Sequence, residues 1–248
     1  MTPAMEATGL RKVFAGVLAL DDLDIAVGEG ELFGLVGANG AGKTTTLNVI
    51  GGQLAADSGV VRLAGRSIEN LPAWRRAGLG LGRTFQDSRM WLDLTTEEHL
   101  HIAVDSSHRS ETRPSGNCVI EDICSSVELP KQMLNCMPSQ MRLLDRRRVE
   151  LAMAALNASN VLLIDEIGAG LDIEEACTLY RLIENLIGAR RVRAAILVEH
   201  KLELLKTFAT AIGLIENGKI VHRACCNDAA QVAHLMDRMF DRRASSVA

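Results

Sequence analysis

At 248 residues the chain is long enough for one large α/β domain with a smaller helical part, and it can bury a substantial core. Its 48% hydrophobic and 23% charged residues are ordinary globular proportions. A net charge of −4 and only 3% aromatic residues argue against nucleic acid as the main ligand.

The N-terminal "MTPAMEATGL" has no basic stretch followed by an apolar one, so no secretory leader is expected there. No apolar run reaches the length of a membrane span, so a membrane role is expected to come through a partner. Strand-like runs follow at 22–27, 31–36 and 60–65, and a helix is expected over 43–50. Thr95 and Glu98 have the spacing of a capping box at the start of a helix over 96–104. The polar, Pro- and Gly-containing stretch 105–117 reads as a loop. A helix over 146–157 carries Val149, Met153 and Leu156 on one face, as a buried helix should. The apolar runs 160–165 and 194–199 suit parallel strands covered on both faces. Helices are expected over 173–188 and 228–240. Strand-like 211–216 and 219–222 flank Asn217-Gly218, a tight-turn signal. Residues 87–157 lack strong strand signals and read as a helical insertion in an α/β core. The six cysteines, Cys118, Cys124, Cys136, Cys177, Cys225 and Cys226, include no C-x-x-C pair. Free thiols in a reducing cytosol are expected.

The stretch "GLVGANGAGKTTT" follows a strand-like run and opens a helix. Gly37, Gly42, Lys43 and Thr44 satisfy G-x-x-x-x-G-K-[ST] in the strand–loop–helix setting that the motif needs. Glycines allow successive backbone N–H groups to curl around phosphate oxygens at a helix N-terminus, and Asn39, Gly40, Ala41 and Thr45 belong to the same nucleotide cradle. Lys43 is expected to neutralise the β- and γ-phosphates, and the Thr44 hydroxyl to ligate Mg²⁺. In "NVLLIDE" an apolar strand ends in Asp165, placed to hold Mg²⁺ through water beside the phosphate loop. The next residue, Glu166, could polarise the attacking water.

Three further segments keep a fixed order with these: "GRTFQ" (82–86), "GAGLD" (168–172) and "ILVEHK" (196–201). With them the chain resembles the nucleotide-binding subunits of ABC transporters from about residue 6 to 222. The resemblance implies an α/β P-loop ATPase core of ABC type, with an antiparallel β edge region near the N-terminus and a helical subdomain. The core is assigned to 1–86 and 158–248, the subdomain to 87–157. The resemblance further implies that Gln86 is a Mg²⁺ and water ligand sensing the transmembrane partner. Asp172 would reach across a dimer interface, His200 would meet the γ-phosphate, and Phe14 would stack on adenine. His99 and His101 lie two apart, on different faces of a helix, and are not expected to form a metal pair. "RRAGLGLGRTFQ", "LTTEEHL" and "LVEHKLELL" look most like the ATPase subunits of branched-chain amino-acid importers and their polar amino-acid and urea relatives.

One segment departs from the family. "RRRVELA" aligns without a gap, which puts Met141, Arg142, Leu143, Leu144 and Asp145 on the positions of the signature Leu-Ser-Gly-Gly-Gln. In the family that segment binds the γ-phosphate of ATP held by the other subunit. The two leucines add bulk there and resist φ > 0, while Arg142 could supply charge in place of the serine. Ile167 is a second departure: it replaces the usual proline after the catalytic glutamate and is expected to loosen the turn.

The expected function is Mg²⁺-dependent ATP hydrolysis that energises a membrane transporter, with ATP sandwiched between two ATPase subunits. Glu166 is the expected base, and Lys43 and His200 the charge-stabilising groups. The expected partners are transmembrane permease subunits and a second ATPase subunit, a heterodimer being favoured over a homodimer. The expected location is the cytoplasmic face of the cell membrane. The alternative from another class is a nucleotide-gated scaffold or regulatory protein with little turnover; intact Glu166 and His200 speak against it.

Overall fold

The computed structural model describes residues 2–86, 90–106 and 116–245. Among these residues the chain opens with a long hairpin, β1 (Met5–Phe14) and β2 (Val17–Val27), followed by β3 (Leu32–Val36) and α1 (Lys43–Gly51). Next come β4 (Ser58–Leu63), the short β5 (Arg66–Ser67), α2 (Ala73–Gly78) and β6 (Leu81–Arg83). Helices α3 (Thr96–Ser106), α4 (Gly116–Ser126) and α5 (Leu143–Asn157) precede β7 (Val161–Asp165), α6 (Ile173–Gly188) and β8 (Ala194–Val198). The chain closes with α7 (Leu202–Phe208), β9 (Ala211–Glu216), β10 (Lys219–Cys225) and α8 (Ala229–Ser245).

Two sheets result. An antiparallel sheet has the order β2-β1-β4-β5, and a six-stranded sheet has the order β10-β9-β3-β8-β7-β6. In the second, β3 runs parallel to both β8 and β9, and β7 runs parallel to β8 and β6. Residues of β7 alternate between two cores, as the period of two in a strand demands. Leu162 and Ile164 join Val149, Leu156 and Leu186 on the α5–α6 face. Val161 and Leu163 join Leu47, Ile50, Leu20 and Val61 on the face covered by α1 and the antiparallel sheet. This is the α/β arrangement expected, with the antiparallel edge region near the N-terminus.

The details differ from expectation in informative ways. Strand β1 carries no clean alternation: Gly9 has φ +62° and its pairing with β2 slips register three times. Strand β6 is three residues long yet closes the parallel sheet beside β7. The helix expected over 146–157 starts at Leu143, and its burial is wider than one face, since Leu151, Ala152, Ala154 and Ala155 are also buried. Met153, expected inside, is only half-buried. Most of the stretch read as a loop over 105–117 lies outside the described residues; Asp105 and Ser106 close α3, and Gly116 opens α4. The Thr95–Glu98 box is present, with the Thr95 N–H donating to Glu98 Oε2 at 2.7 Å and Glu98 N–H to Thr95 Oγ1 at 3.3 Å. Asn217 and Gly218 both take positive φ between β9 and β10, as a tight hairpin turn requires. No helix among the described residues is long and apolar enough to cross a membrane.

Candidate functional site

Adjacent parallel strands β3, β8 and β7 end side by side, so the segments that follow them converge on one edge of the sheet. This is where ligands gather in open α/β sheets. After β3 the chain turns through Gly37–Gly42 into α1. Gly42 holds φ +110°, and a Cβ there would stand 2.7 Å from the Ala19 carbonyl, so glycine is required on both counts. Ala19 belongs to β2, which presses the hairpin against the base of the loop. The Lys43 ammonium is 5% exposed and donates to the carbonyls of Gly37 at 2.8 Å and Ala38 at 2.9 Å. Burial lowers its pKa, while the Glu166 and Asp165 charges act the other way.

Asp165 ends β7 and is 2% exposed. Its Oδ2 lies 3.6 Å from Arg83 Nη2, while its buried Oδ1 has no hydrogen-bond partner. Burial raises its pKa despite the opposing pull of Arg83 and Lys43. Arg83 also donates to the Leu47 carbonyl, to Gln53 Oε1 and to Asn48 Oδ1, and so ties Asp165 to α1. The sequence offered Arg83 only as a mark of likeness; its position between the phosphate-loop helix and Asp165 becomes visible only in three dimensions.

Glu166 follows with φ +47°, a left-handed conformation that non-glycine residues seldom take. The turn is fixed by Glu166 N–H donating to the Val198 carbonyl at 3.1 Å and Ala169 N–H to the Glu166 carbonyl at 2.9 Å. Its carboxylate is held from two sides. Gln86 Nε2 donates to Oε2 at 3.1 Å, and His200 Nε2 meets Oε1 at 2.6 Å. Three residues expected from separate motifs thus meet in one cluster. Ile167 is fully buried in the α5–α6 core, so the turn is anchored by packing at the position where the family's proline would stiffen it.

The cavity in front of the loop measures ≈ 510 Å³ and is lined by Asn39, Gly40, Gly42, Lys43, Thr44, Thr45, Gln86, Glu166 and His200. Gly37 and Ala41 line a neighbouring cavity that shares Asn39, Gly40 and His200 with it. Asp165 stands behind the first cavity, and Phe14 lies apart from it. Phe14 ends β1 opposite Val17, is 43% exposed, and has the Lys12 ammonium 5.6 Å from its ring centre. Asp172 spends its Oδ1 locally, accepting from Glu175 N–H at 2.9 Å as the N-cap of α6.

Other residues support the cluster although the sequence assigns them no role. Buried Arg147 on α5 donates to the Gln86 carbonyl at 3.2 Å and pairs with Glu150 at 2.9 Å, linking the helical region to Gln86. Buried Glu199 accepts from the N–H groups of His200 and Lys201, at 2.8 and 2.9 Å, and from the Tyr180 hydroxyl. His99 is fully buried and structural: it bonds the Trp91 N–H and the Thr95 carbonyl.

The segment on the signature positions differs from its expected geometry. Leu143 and Leu144 do not face a demand for positive φ; they form the first turn of α5 and pack, half-buried, against the core. Leu143 lies under Gly170, where an added Cβ would meet its Cδ2 at 3.0 Å. Part of the leucine bulk is therefore turned inward. Arg142 is the N-cap and makes no side-chain cap bond, while Met141 is buried and Asp145 sits in the first turn beside Arg148 at 3.6 Å.

A family model described as "ABC transporter" matches residues 20–169. The high-affinity branched-chain amino acid transport ATP-binding protein BraF of Pseudomonas aeruginosa is 28% identical over 233 residues, covering 87% of this chain and 89% of its own. The corresponding protein LivG of Salmonella typhimurium is 28% identical over 228 residues with the same coverage. Among solved structures, the ADP conformation of an ATP-binding cassette of an ABC transporter superposes with a TM-score of 0.84. It spans 97% of this chain and 98% of its own at 21% identity, a likeness of fold.

Proposed function

The chain belongs to the ABC transporter family as one of its ATP-hydrolysing subunits, and from that premise we propose that it drives an importer of branched-chain amino acids or similar solutes, working beside a second, different ATPase subunit. The observation that carries the catalytic part is the Glu166 carboxylate, held between Gln86 and His200 at the mouth of the Lys43 loop. The importer assignment rests on the names of the relatives BraF and LivG.

In this reading residues 1–86 and 158–248 form the nucleotide-binding body and 87–157 the helical arm. The amides of Gly37–Thr45 and Lys43 hold the triphosphate, and Phe14 offers an apolar face to the base. ATP would draw the Lys43 ammonium from the Gly37 and Ala38 carbonyls onto phosphate oxygens. The residues around Asp165 suit a Mg²⁺ ion: its buried Oδ1 lacks a partner, and Thr44 and Gln86 present oxygens at the same cavity. No cluster of three or more His, Cys, Asp or Glu side chains that could hold a metal occurs among the described residues. A divalent ion here would take most of its oxygens from phosphate and water, and when bound it neutralises charge on the β- and γ-phosphates. Glu166 orients water for attack and accepts its proton, and His200 supplies a donor to the transferred phosphoryl group.

The signature positions support a mixed dimer. A helix N-terminus favours an anion, but Asp145 in the first turn of α5 already supplies one, and no serine stands at its N-cap. Such a turn is a poor clamp for a phosphate held by the facing subunit. The ATP in this chain's own loop depends instead on the partner's signature. The subunit is proposed to sit at the cytoplasmic face of the membrane, bound to permease subunits.

Single-turnover hydrolysis by the chain alone, and mixed with a candidate second ATPase subunit, tests the reading. Slow hydrolysis alone and fast hydrolysis in the mixture are expected. ATP binding without hydrolysis in either condition would overturn it.

A further inference from the structure

We propose that the buried pair Tyr180–Glu199 is a positioning device that sets the His200 imidazole against Glu166, linking the turn after Glu166 to the switch segment. The proposal rests on the reading of Glu166 and His200 as the hydrolytic pair.

Glu199 directly follows strand β8 and is 5% exposed. It takes no part in any ion pair among the described residues, and its acceptors are filled by neutral donors. Oε1 accepts the backbone N–H groups of His200 at 2.8 Å and Lys201 at 2.9 Å. Both N–H groups belong to the segment between β8 and α7, where no helical partner is available to them. Oε2 accepts the Tyr180 hydroxyl. Tyr180 is fully buried in the middle of α6, with its ring 5.6 Å from that of Phe208. Burial pushes its pKa up, first among several causes, so the phenol stays protonated and can only donate to the carboxylate.

The third element is Gly168, two residues after Glu166. A Cβ at Gly168 would lie 2.8 Å from the Tyr180 hydroxyl and 3.5 Å from Glu199 Oε2. Backbone from the Glu166 turn, a side chain from α6 and a carboxylate from the switch segment therefore share one close contact. The same two segments meet again outside it, where Glu166 Oε1 reaches His200 Nε2 at 2.6 Å. With the backbone N–H of His200 fixed on Glu199, the imidazole moves relative to Glu166 only through its own side-chain rotations. The α6 helix that carries Tyr180 opens immediately after the Gly168–Asp172 segment, so that segment is joined to the Glu199 contact both through the chain and through space.

The roles are separable. Tyr180 and Glu199 do not line the cavity of Lys43 and Glu166, Glu199 borders the neighbouring cavity beside His200, and in this proposal their effect on hydrolysis passes through His200. The test uses the full chain with ¹⁵N-labelled histidine, reading the imidazole nitrogens of His200 by long-range ¹H–¹⁵N spectra, together with single-turnover ATP hydrolysis. Tyr180→Phe keeps the ring and removes one hydroxyl; Glu199→Gln keeps an acceptor for the backbone amides. The Tyr180→Phe chain is expected to shift the His200 nitrogens in the direction seen in Glu166→Gln. Its hydrolysis is expected to slow about tenfold or more, with ATP affinity unchanged. Glu199→Gln should fall between it and the parent chain. In a His200→Ala background Tyr180→Phe should have no additional effect on rate. Unchanged His200 signals in a folded Tyr180→Phe chain, or full additivity with His200→Ala, overturns the proposal. If Glu166→Gln itself leaves the His200 signals in place, the underlying pairing of Glu166 with His200 is at fault instead.

Discussion

The carboxylate of Glu166 bridges to His200 Nε2 at 2.6 Å although the two residues follow different strands, β7 and β8, and Gln86 closes the other side of the same carboxylate at 3.1 Å. Removing either end should leave the phosphate loop intact. Glu166→Gln and His200→Ala are each expected to lower the single-turnover rate about 10²–10⁴-fold. ATP affinity, read with a fluorescent analogue, should change less than about threefold, because Lys43 and the loop amides carry binding. Equal losses of affinity and rate would place these side chains in binding.

Asp165 is strained electrostatically before any ligand arrives. Burial raises its pKa more than Arg83 and Lys43 lower it, so ionising the carboxylate costs more in the folded chain than in the unfolded one and carries a stability penalty wherever it is charged. Asp165→Asn should therefore melt higher than the parent chain without nucleotide at pH 7, by about 2–4 °C for each kcal/mol relieved. The difference should shrink as pH falls through the raised value, and vanish below the ordinary value of 3.8, where the group is protonated folded and unfolded alike. Hydrolysis should be lost throughout. A variant that melts lower at pH 7 would show that the Arg83 contact outweighs burial.

Arg147 and Glu150 are each about nine-tenths buried and depend on each other. Arg147→Ala leaves Glu150 uncompensated and the Gln86 carbonyl without its donor. A loss of about 3 kcal/mol in urea unfolding is expected. The double change Arg147→Met with Glu150→Leu should recover much of that stability, yet still slow hydrolysis because Gln86 is no longer held. Recovery of both stability and rate would remove the helical arm from any part in placing Gln86.

The signature positions call for a test that respects packing. Replacing Arg142, Leu143 and Leu144 by Ser, Gly and Gly would strip two half-buried leucines from the first turn of α5 and should destabilise the chain by about 2–5 kcal/mol. The paired change Arg142→Ser with Asp145→Gln leaves the leucines in place and removes the first-turn carboxylate. It is expected to raise hydrolysis by the chain alone severalfold, with a smaller loss of stability than the triple change, since Arg148 loses Asp145 but keeps Glu128. No gain in rate would mean that the leucines or the backbone, rather than charge, limit this turn.

The parts legible in the sequence are those in which local chemistry and local structure coincide. The phosphate loop is readable because strand, glycines, lysine and helix are contiguous, and β7 and β8 because burial on both faces makes them apolar throughout. Strand β1 escaped notice because its left-handed Gly9 and its register slips erase the alternation that marks a half-buried strand. Strand β6 has only three residues and gains its place from pairing with β7. Residues 82–86 were read as a motif, but the strand that delivers Gln86 to Glu166 was not. Arg147, Tyr180 and Glu199 could not be found in advance, since each is defined by a contact with residues 19 to 61 positions away. The bulk of Leu143 and Leu144 was visible in the sequence; the direction in which it points was not.

The order β9-β3-β8-β7-β6 has a consequence for how the chain is made. The strand that leads into the phosphate loop is made before both strands that flank it, β8 and β9, which follow only after the helical arm and β7. Until then the backbone N–H and C=O groups along both edges of β3 have no strand to pair with, and His200 is not yet present opposite the Lys43 loop. Competence for ATP should appear only once β8 and β9 have paired with β3, and a product truncated before β8 should be an aggregation hazard rather than a weak ATPase.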